Sequence, residues 1–125
     1  MRTVAIDFDG VIHKYSKEWH DGTCYDKPNE GALEYILYLM EDHAVFIFST
    51  RNPRDIKKWV EDNFLPFWDG TPCTPYSVEV IPFWRKFWNK KNVLGITRRK
   101  LPALAYIDDR AIPFTGSFKD LPTKF

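Results

Sequence analysis

The chain has 125 residues, of which 44% are hydrophobic and 17% aromatic, so there is enough apolar material for the packed core of a single domain covering residues 1–125. Its 18 basic and 17 acidic side chains leave a net charge of +1, and this near balance indicates neither a nucleic-acid nor a membrane partner. The two cysteines, Cys24 and Cys73, are too few for a disulfide framework and are expected to be free thiols in a reducing compartment.

The first part of the chain alternates between strand-like and helical patterns. Thr3–Phe8 is an apolar run with β-branched residues that predicts a buried strand, and it follows the start methionine so closely that no targeting segment is expected. Residues 11–28 mix charges, aromatics and turn formers and predict a loop or a small hairpin. A helix is expected to begin near Asn29, with a core-facing side formed by Leu33, Ile36, Leu37 and Met40. Ala44–Phe48 predicts a second buried strand.

The remainder of the chain continues this alternation. Asn52 and Pro53 are a favourable cap and first residue for a second helix, whose apolar face is Ile56, Trp59, Val60 and Phe64. Further strands are expected at Tyr76–Ile81, Val93–Thr97 and Ala103–Ile107. Because no apolar stretch is long enough to cross a bilayer, the sequence predicts a cytoplasmic protein without a membrane partner.

Strands that alternate with helices predict an α/β protein with a Rossmann-like three-layer fold, whose central, mainly parallel sheet is covered on both faces. Three of the predicted strands end in polar residues of a kind common in catalytic sites. These residues are Asp7 and Asp9, Ser49 and Thr50, and Asp108 and Asp109. Because ligands of such sheets bind at the carboxyl ends of the strands, we expect four carboxylates and two hydroxyls to meet at one edge of the sheet.

Four neighbouring carboxylates repel one another unless a cation neutralises them. A set of oxygen ligands without Cys or His favours a hard divalent ion, and Mg²⁺ commonly binds through a few carboxylates together with a substrate phosphate. With Mg²⁺ present, one carboxylate can remain an unprotonated nucleophile beside a phosphate dianion. A hydroxyl and a lysine are then needed to hold the phosphoryl oxygens during transfer.

The sequence also resembles a known family. The run Asp7-Phe8-Asp9-Gly10-Val11-Ile12 resembles the first motif, DxDG[TV], of the haloacid dehalogenase superfamily, and Ser49 at the end of an apolar strand resembles the second. Lys100 with Pro102 and Ala103, followed by Tyr106-Ile107-Asp108-Asp109, resembles the third and fourth motifs. The resemblance extends from Val4 to Arg110 and is greatest to small phosphatases of this superfamily that lack a cap domain.

The resemblance implies a Mg²⁺-dependent phosphomonoester hydrolase that works in two steps. Asp7 would attack phosphorus and form an aspartyl-phosphate, and Asp9 would protonate the leaving oxygen and then accept a proton from the hydrolytic water. The implied Mg²⁺ ligands are Asp7, Asp108 and the backbone carbonyl of Asp9, and Asp109 would either bind through water or orient the other ligands. The implied phosphate-binding residues are Ser49, Thr50, Arg51 and Lys100.

The spacing of the motifs predicts that the site is open. Neither the interval from Asp9 to Ser49 nor that from Ser49 to Lys100 has room for a cap domain in addition to its helix and strand. An open site admits either a phosphorylated small molecule or the phosphorylated end of a nucleic acid, or else a second copy of the chain closes it.

The loop after the first motif has two interpretations. It could select substrate through His13, Lys14, Tyr15 and Trp19, or it could pack as a flap that makes no specific contact. His13, His20 and Cys24 lack the spacing of a zinc site.

Residues 83–91 interleave aromatic and basic side chains. The favoured interpretation is a short helix with Phe83, Trp84, Phe87 and Trp88 facing the core. The same pattern is typical of a single-strand nucleic-acid platform, which Arg98, Arg99 and Lys100 would then extend.

Two functions other than hydrolysis are compatible with parts of the sequence. One is a phosphoryl-accepting receiver module, in which, unlike here, the acidic pair precedes the acceptor aspartate. The other is a binding module, with nucleic acid as its ligand, that keeps the polar strand ends but does not use them.

Overall fold

The computed structural model describes residues 2–13, 27–64, 77–108 and 112–113. Its elements alternate between strand and helix in the first half of the chain, as the sequence predicts. In chain order they are β1 (Arg2–Asp7), α1 (Ala32–Met40), β2 (His43–Phe48), α2 (Pro53–Asn63), β3 (Ser77–Val80), β4 (Val93–Thr97), β5 (Ala105–Asp108) and the two-residue β6 (Ile112–Pro113). Within these residues, no helix combines the length and apolar content needed to cross a membrane.

The strands form one sheet in the order β3-β4-β2-β1-β5-β6, and every pairing in it is parallel. This confirms the predicted α/β class, with a parallel sheet and without a cap domain in the described part of the chain. Strand β1 lies between β2 and β5. The chain passes from β1 to β2 on one side and, after β4, returns to β5 on the other side. The carboxyl end of β1 is therefore the switch point of the sheet, where ligands of such folds bind.

Both helices pack against the same face of the sheet. Helix α2 follows the prediction, since the Asn52 side chain accepts a hydrogen bond from the Arg54 N–H (3.0 Å), Pro53 is the first helical residue, and the predicted apolar face is buried. Their shared core includes Val4 and Ile6 of β1, so the helices cover the face to which these two side chains point.

Helix α1 differs from the prediction in its first residue and its buried side. It begins at Ala32 after Gly31, whose φ is 83°, and buries Ala32, Tyr35, Ile36, Leu39 and Met40. The expected core positions Leu33 and Leu37 are only half-buried. The buried side differs because Tyr35 and Leu39 occupy core positions that the predicted spacing leaves out. Asn29 precedes the helix and instead holds the loop after β1, donating from Nδ2 to the Val11 carbonyl (2.8 Å).

The opposite face of the sheet is covered by irregular chain rather than by a helix in the described residues. The predicted short helix with four inward aromatics is wrong: Phe83, Trp84 and Phe87 are 85%, 64% and 54% exposed, and only Trp88 is buried. The Trp88 side chain packs in a second cluster with Ala5, Ala44, Phe46, Ile81 and Leu101. The Trp88 indole alone thus covers the part of the sheet that the sequence predicts to be covered by four aromatic rings.

Trp88 can lie this close to the sheet because β4 has a glycine beneath it. A methyl group on Gly95 would come within 2.8 Å of Trp88 Cε2 and within 2.8 Å of Ile81 Cδ1.

We expect Gly95→Ala to lower the free energy of unfolding by about 1–3 kcal/mol in urea denaturation, because added volume strains a packed core. In a double-mutant cycle with Ile81→Ala the two losses should be less than additive, since the shorter side chain removes one of the crowded contacts. Full additivity would contradict this account.

Candidate functional site

The carboxyl ends of β1 and β2 bring the first two predicted motifs together. Asp7 is the last residue of β1, pairs in register with Phe48, and accepts a hydrogen bond from the Phe8 N–H at Oδ1 (2.8 Å). Ser49 is the next residue after β2, is buried, and donates its backbone N–H to the Thr97 carbonyl of β4 (3.1 Å). Asp7, Ser49 and Thr97 therefore lie at the carboxyl ends of β1, β2 and β4, which are neighbours in the sheet.

A tight turn follows Asp7. The Phe8 carbonyl accepts hydrogen bonds from the N–H groups of Val11, Ile12 and His13 at 3.3, 3.0 and 2.9 Å. Gly10 occupies the left-handed region, with a φ of 79°, which glycine adopts without steric penalty. The turn folds the chain back so that Asp9 and His13 become neighbours in space.

The Asp9 carboxylate is held by a buried arginine. Arg51 is 1% exposed, and its Nε donates to both carboxylate oxygens of Asp9, at 2.9 and 2.8 Å. The backbone N–H of Arg51 also donates to the Ser49 hydroxyl (3.2 Å), which fixes the chain after β2. The resemblance implies that Arg51 contacts a substrate phosphate, and the alternative from the sequence is an ion pair at the surface. In the structure its guanidinium contacts the proposed acid–base residue.

His13 is the second partner of Asp9 and was not predicted as one. Its Nδ1 lies 3.1 Å from Asp9 Oδ1, and since an ionised carboxylate only accepts, Nδ1 must carry the proton. The imidazole is fully buried, stacked on Phe8 (5.0 Å between centroids) and edge-on to Trp59 (5.6 Å). His13 therefore packs inside the protein, where it does not face solvent to select a substrate. The four-residue spacing from Asp9 was the only signal for this contact.

The partners of Asp9 determine its ionisation. Burial by itself raises the pKa of Asp9, but hydrogen bonds from His13 and Arg51, and the positive charge of Arg51, outweigh it. The net pKa lies below the ordinary value of 3.8. Asp9 is therefore a carboxylate at neutral pH in this arrangement.

The remaining predicted phosphate-binding residues lie at the end of β4 and beside β2. Thr50 is exposed, and its carbonyl accepts hydrogen bonds from Nε and Nη2 of Arg98 at 3.3 and 3.2 Å. Lys100 is exposed, with its ammonium 5.1 Å from the centroid of the Tyr106 ring. The Tyr106 hydroxyl donates to the Leu101 carbonyl and so fixes the ring that Lys100 faces.

The predicted metal ligands are described in part. Asp108 ends β5, directly after Ile107, which pairs with Ile6 of β1, so the backbones of Asp7 and Asp108 end on adjacent strands. The Asp108 side chain and all of Asp109 lie outside the described residues, as do Lys14, Tyr15, Trp19, His20, Cys24 and Cys73. Among the side chains that are described, no group of three or more His, Cys, Asp or Glu is arranged to hold a metal ion.

Comparison with known proteins gives no match to any family model, curated protein or solved structure. Asp7 ends the central strand beside a second carboxylate that an arginine and a histidine hold ionised. Such a site suits a reaction that uses one carboxylate as a nucleophile and another to exchange protons.

The ion pair leads to a stability prediction. We expect Arg51→Met to lower the free energy of unfolding at pH 7 by about 2–3 kcal/mol, because Asp9 loses the charge that offsets its burial. An Asp with a lowered folded-state pKa stabilises the fold above its ordinary pKa, and this contribution is lost as the pH falls through the lowered value. The deficit should therefore be complete at pH 7 and shrink below the ordinary pKa of 3.8.

Urea denaturation at pH 7 and at a pH below 3.8 measures this effect, with Arg54→Met as the control. Arg54 is an exposed arginine on α2, so its replacement removes the same charge without unpairing the half-buried Asp9 carboxylate. Equal losses in the two variants would show that the ion pair does not stabilise the fold.

Proposed function

We propose that the chain is a Mg²⁺-dependent phosphatase that hydrolyses a phosphomonoester through an aspartyl-phosphate on Asp7, as its resemblance to the haloacid dehalogenase superfamily implies. One observation carries the proposal. Asp7 ends the central strand at the switch point of a parallel sheet, and Asp9, Ser49 and Arg51 are joined by hydrogen bonds directly beyond it. The small number of cysteines supports a cytoplasmic, reducing location for this activity.

The four ligands that the sequence predicts suit a magnesium ion by their chemistry. The Asp7 carboxylate, the Asp9 carbonyl, Asp108 and Asp109 are an all-oxygen donor set, which is the set that Mg²⁺ prefers. The adjacent ends of β1 and β5 support a shared role for Asp7 and Asp108. When bound, Mg²⁺ would offset the repulsion between a carboxylate nucleophile and a phosphate dianion.

Each residue of the site then has a defined task. An Asp7 carboxylate oxygen bonds to phosphorus as the ester oxygen leaves, and water later cleaves the acyl-phosphate and regenerates Asp7. The Ser49 hydroxyl accepts the Arg51 N–H with a lone pair, so its own hydrogen can donate to a phosphoryl oxygen. The Thr50 N–H and Lys100 would bind the other phosphoryl oxygens.

The pairing of Asp9 with Arg51 constrains the acid–base step. An ionised Asp9 can accept a proton from water, but it must first be protonated to donate one to the leaving oxygen. A phosphate dianion in the site would compete for the Arg51 guanidinium. As the hydrogen bonds from Arg51 loosen, the pKa of Asp9 rises, because burial and the phosphate charge then dominate.

The first test is hydrolysis of an aryl phosphate and of a panel of phosphorylated small molecules, nucleotides and oligonucleotides carrying 3′- or 5′-phosphates. Turnover should need Mg²⁺, stop with EDTA, and fall to background in Asp7→Asn. Asp62→Asn, which removes an exposed carboxylate of α2, is the matched control and should keep wild-type activity. Asp7→Asn with more than a tenth of wild-type turnover would exclude Asp7 as the nucleophile.

A second test addresses Asp9 through the leaving group. Asp9→Asn should lower kcat by about 10²–10⁴-fold for an alkyl phosphate, whose leaving oxygen needs a proton. The rate of phospho-enzyme formation from a nitrophenyl phosphate should fall much less, because this leaving group departs as an anion and needs no proton. A burst measurement with both substrates checks this, and equal losses would show that Asp9 does not act as the acid.

A further inference from the structure

Three large aromatic side chains are exposed within five residues of one another. Phe83, Trp84 and Phe87 lie in the irregular segment after β3, with Arg85 and Lys86 between them. We call these five residues the aromatic platform. We propose that the aromatic platform binds single-stranded nucleic acid, by stacking bases on its rings and pairing phosphates with its cations. This binding goes beyond the proposed hydrolysis and does not depend on it.

The platform is held in a fixed conformation by the end of β4. Arg99 donates from Nη2 to the carbonyls of Pro82 (2.7 Å) and Arg85 (2.8 Å), and the Arg85 N–H donates to the Pro82 carbonyl (3.0 Å). The Arg85 guanidinium lies 5.6 Å from the centroid of the Trp84 ring and 5.7 Å from that of the buried Trp88. Trp84 is thus connected through Arg85 to the core, so little conformational freedom is lost when a base stacks on it.

The charge of the segment favours a polyanion as the ligand. Residues 82–92 contain four basic residues and no acidic one, and Arg98, Arg99 and Lys100 follow shortly after. Only Lys90 has an acidic partner among the described contacts of these residues, Glu79 at 3.1 Å. A second copy of the chain docked on the same surface would bring like charges together. Rings placed on both sides of two cations instead suit a ligand that carries both bases and phosphates.

The platform is also connected to the candidate site. Arg99 holds the platform, and the preceding Arg98 donates to the Thr50 carbonyl beside Ser49. The residues that hold the platform and Thr50 are therefore consecutive in the chain. This continuity favours a nucleic-acid strand over a membrane surface as the occupant.

Fluorescence anisotropy with a labelled oligothymidylate of about twelve nucleotides tests the proposal, since single-strand sites commonly span about 4–16 nucleotides. Trp84→Ala and Phe87→Ala should each weaken binding about tenfold, the usual loss for one stacked base. Tyr38→Ala is the matched control, because Tyr38 is a 60% exposed aromatic on α1, and its affinity should equal wild type. Thermal unfolding verifies that each variant is folded.

Other measurements separate the ligand from its alternatives. Lys86→Gln should flatten the dependence of affinity on salt, because fewer counterions are released. The proposal is overturned if the oligonucleotide does not bind, or if Trp84→Ala binds like wild type. It is equally overturned if phosphatidylserine vesicles bind at the platform while the oligonucleotide does not, or if Trp84→Ala abolishes a dimer seen in sedimentation instead.

Discussion

The contact between Arg51 and Asp9 is the interaction on which the site depends. A guanidinium that is 1% exposed has lost its hydration, and a loss of this kind is repaid only by a well-placed counter-charge. Asp9 supplies that charge with both oxygens at 2.8–2.9 Å. The Asp9 carboxylate can point at Arg51 because the chain reverses its direction within a few residues after β1. Gly10, in the left-handed region, permits that reversal.

The same contact joins parts of the fold that are far apart in sequence. Arg51 follows β2 and Asp9 follows β1, so their bond ties two strand ends at the switch point. His13 adds a third connection, since it contacts Asp9 with Nδ1 and packs its ring against Trp59 of α2. Asn29 secures the turn from the other side through the Val11 carbonyl. The polar site is therefore anchored to the helical face of the sheet, and support of this kind keeps the Asp9 carboxylate in position.

The sequence could predict the fold class and the grouping of Asp7, Asp9, Ser49 and Thr50 because both follow from local rules. Short apolar runs form the strands, and parallel strands end at a common edge. Contacts that depend on three-dimensional packing could not be predicted from the sequence. The partner of Arg51 is 42 residues away, and nothing local marks it. Residues 83–88 have helical spacing, but Trp88 fits over Gly95 and Arg99 binds carbonyls of the segment, so tertiary contacts override the local pattern.

Residues at the end of β4 form hydrogen bonds both to the candidate site and to the aromatic platform. The Thr97 carbonyl accepts the Ser49 N–H, Arg98 binds the Thr50 carbonyl, and Arg99 holds the aromatic platform. The Thr97 hydroxyl also accepts the Arg99 N–H at 3.0 Å, so these three consecutive residues form one hydrogen-bonded unit. The aromatic platform and Ser49 are therefore linked through the Arg99 side chain, the Thr97 hydroxyl and the Thr97 carbonyl, although they belong to segments that are far apart in sequence.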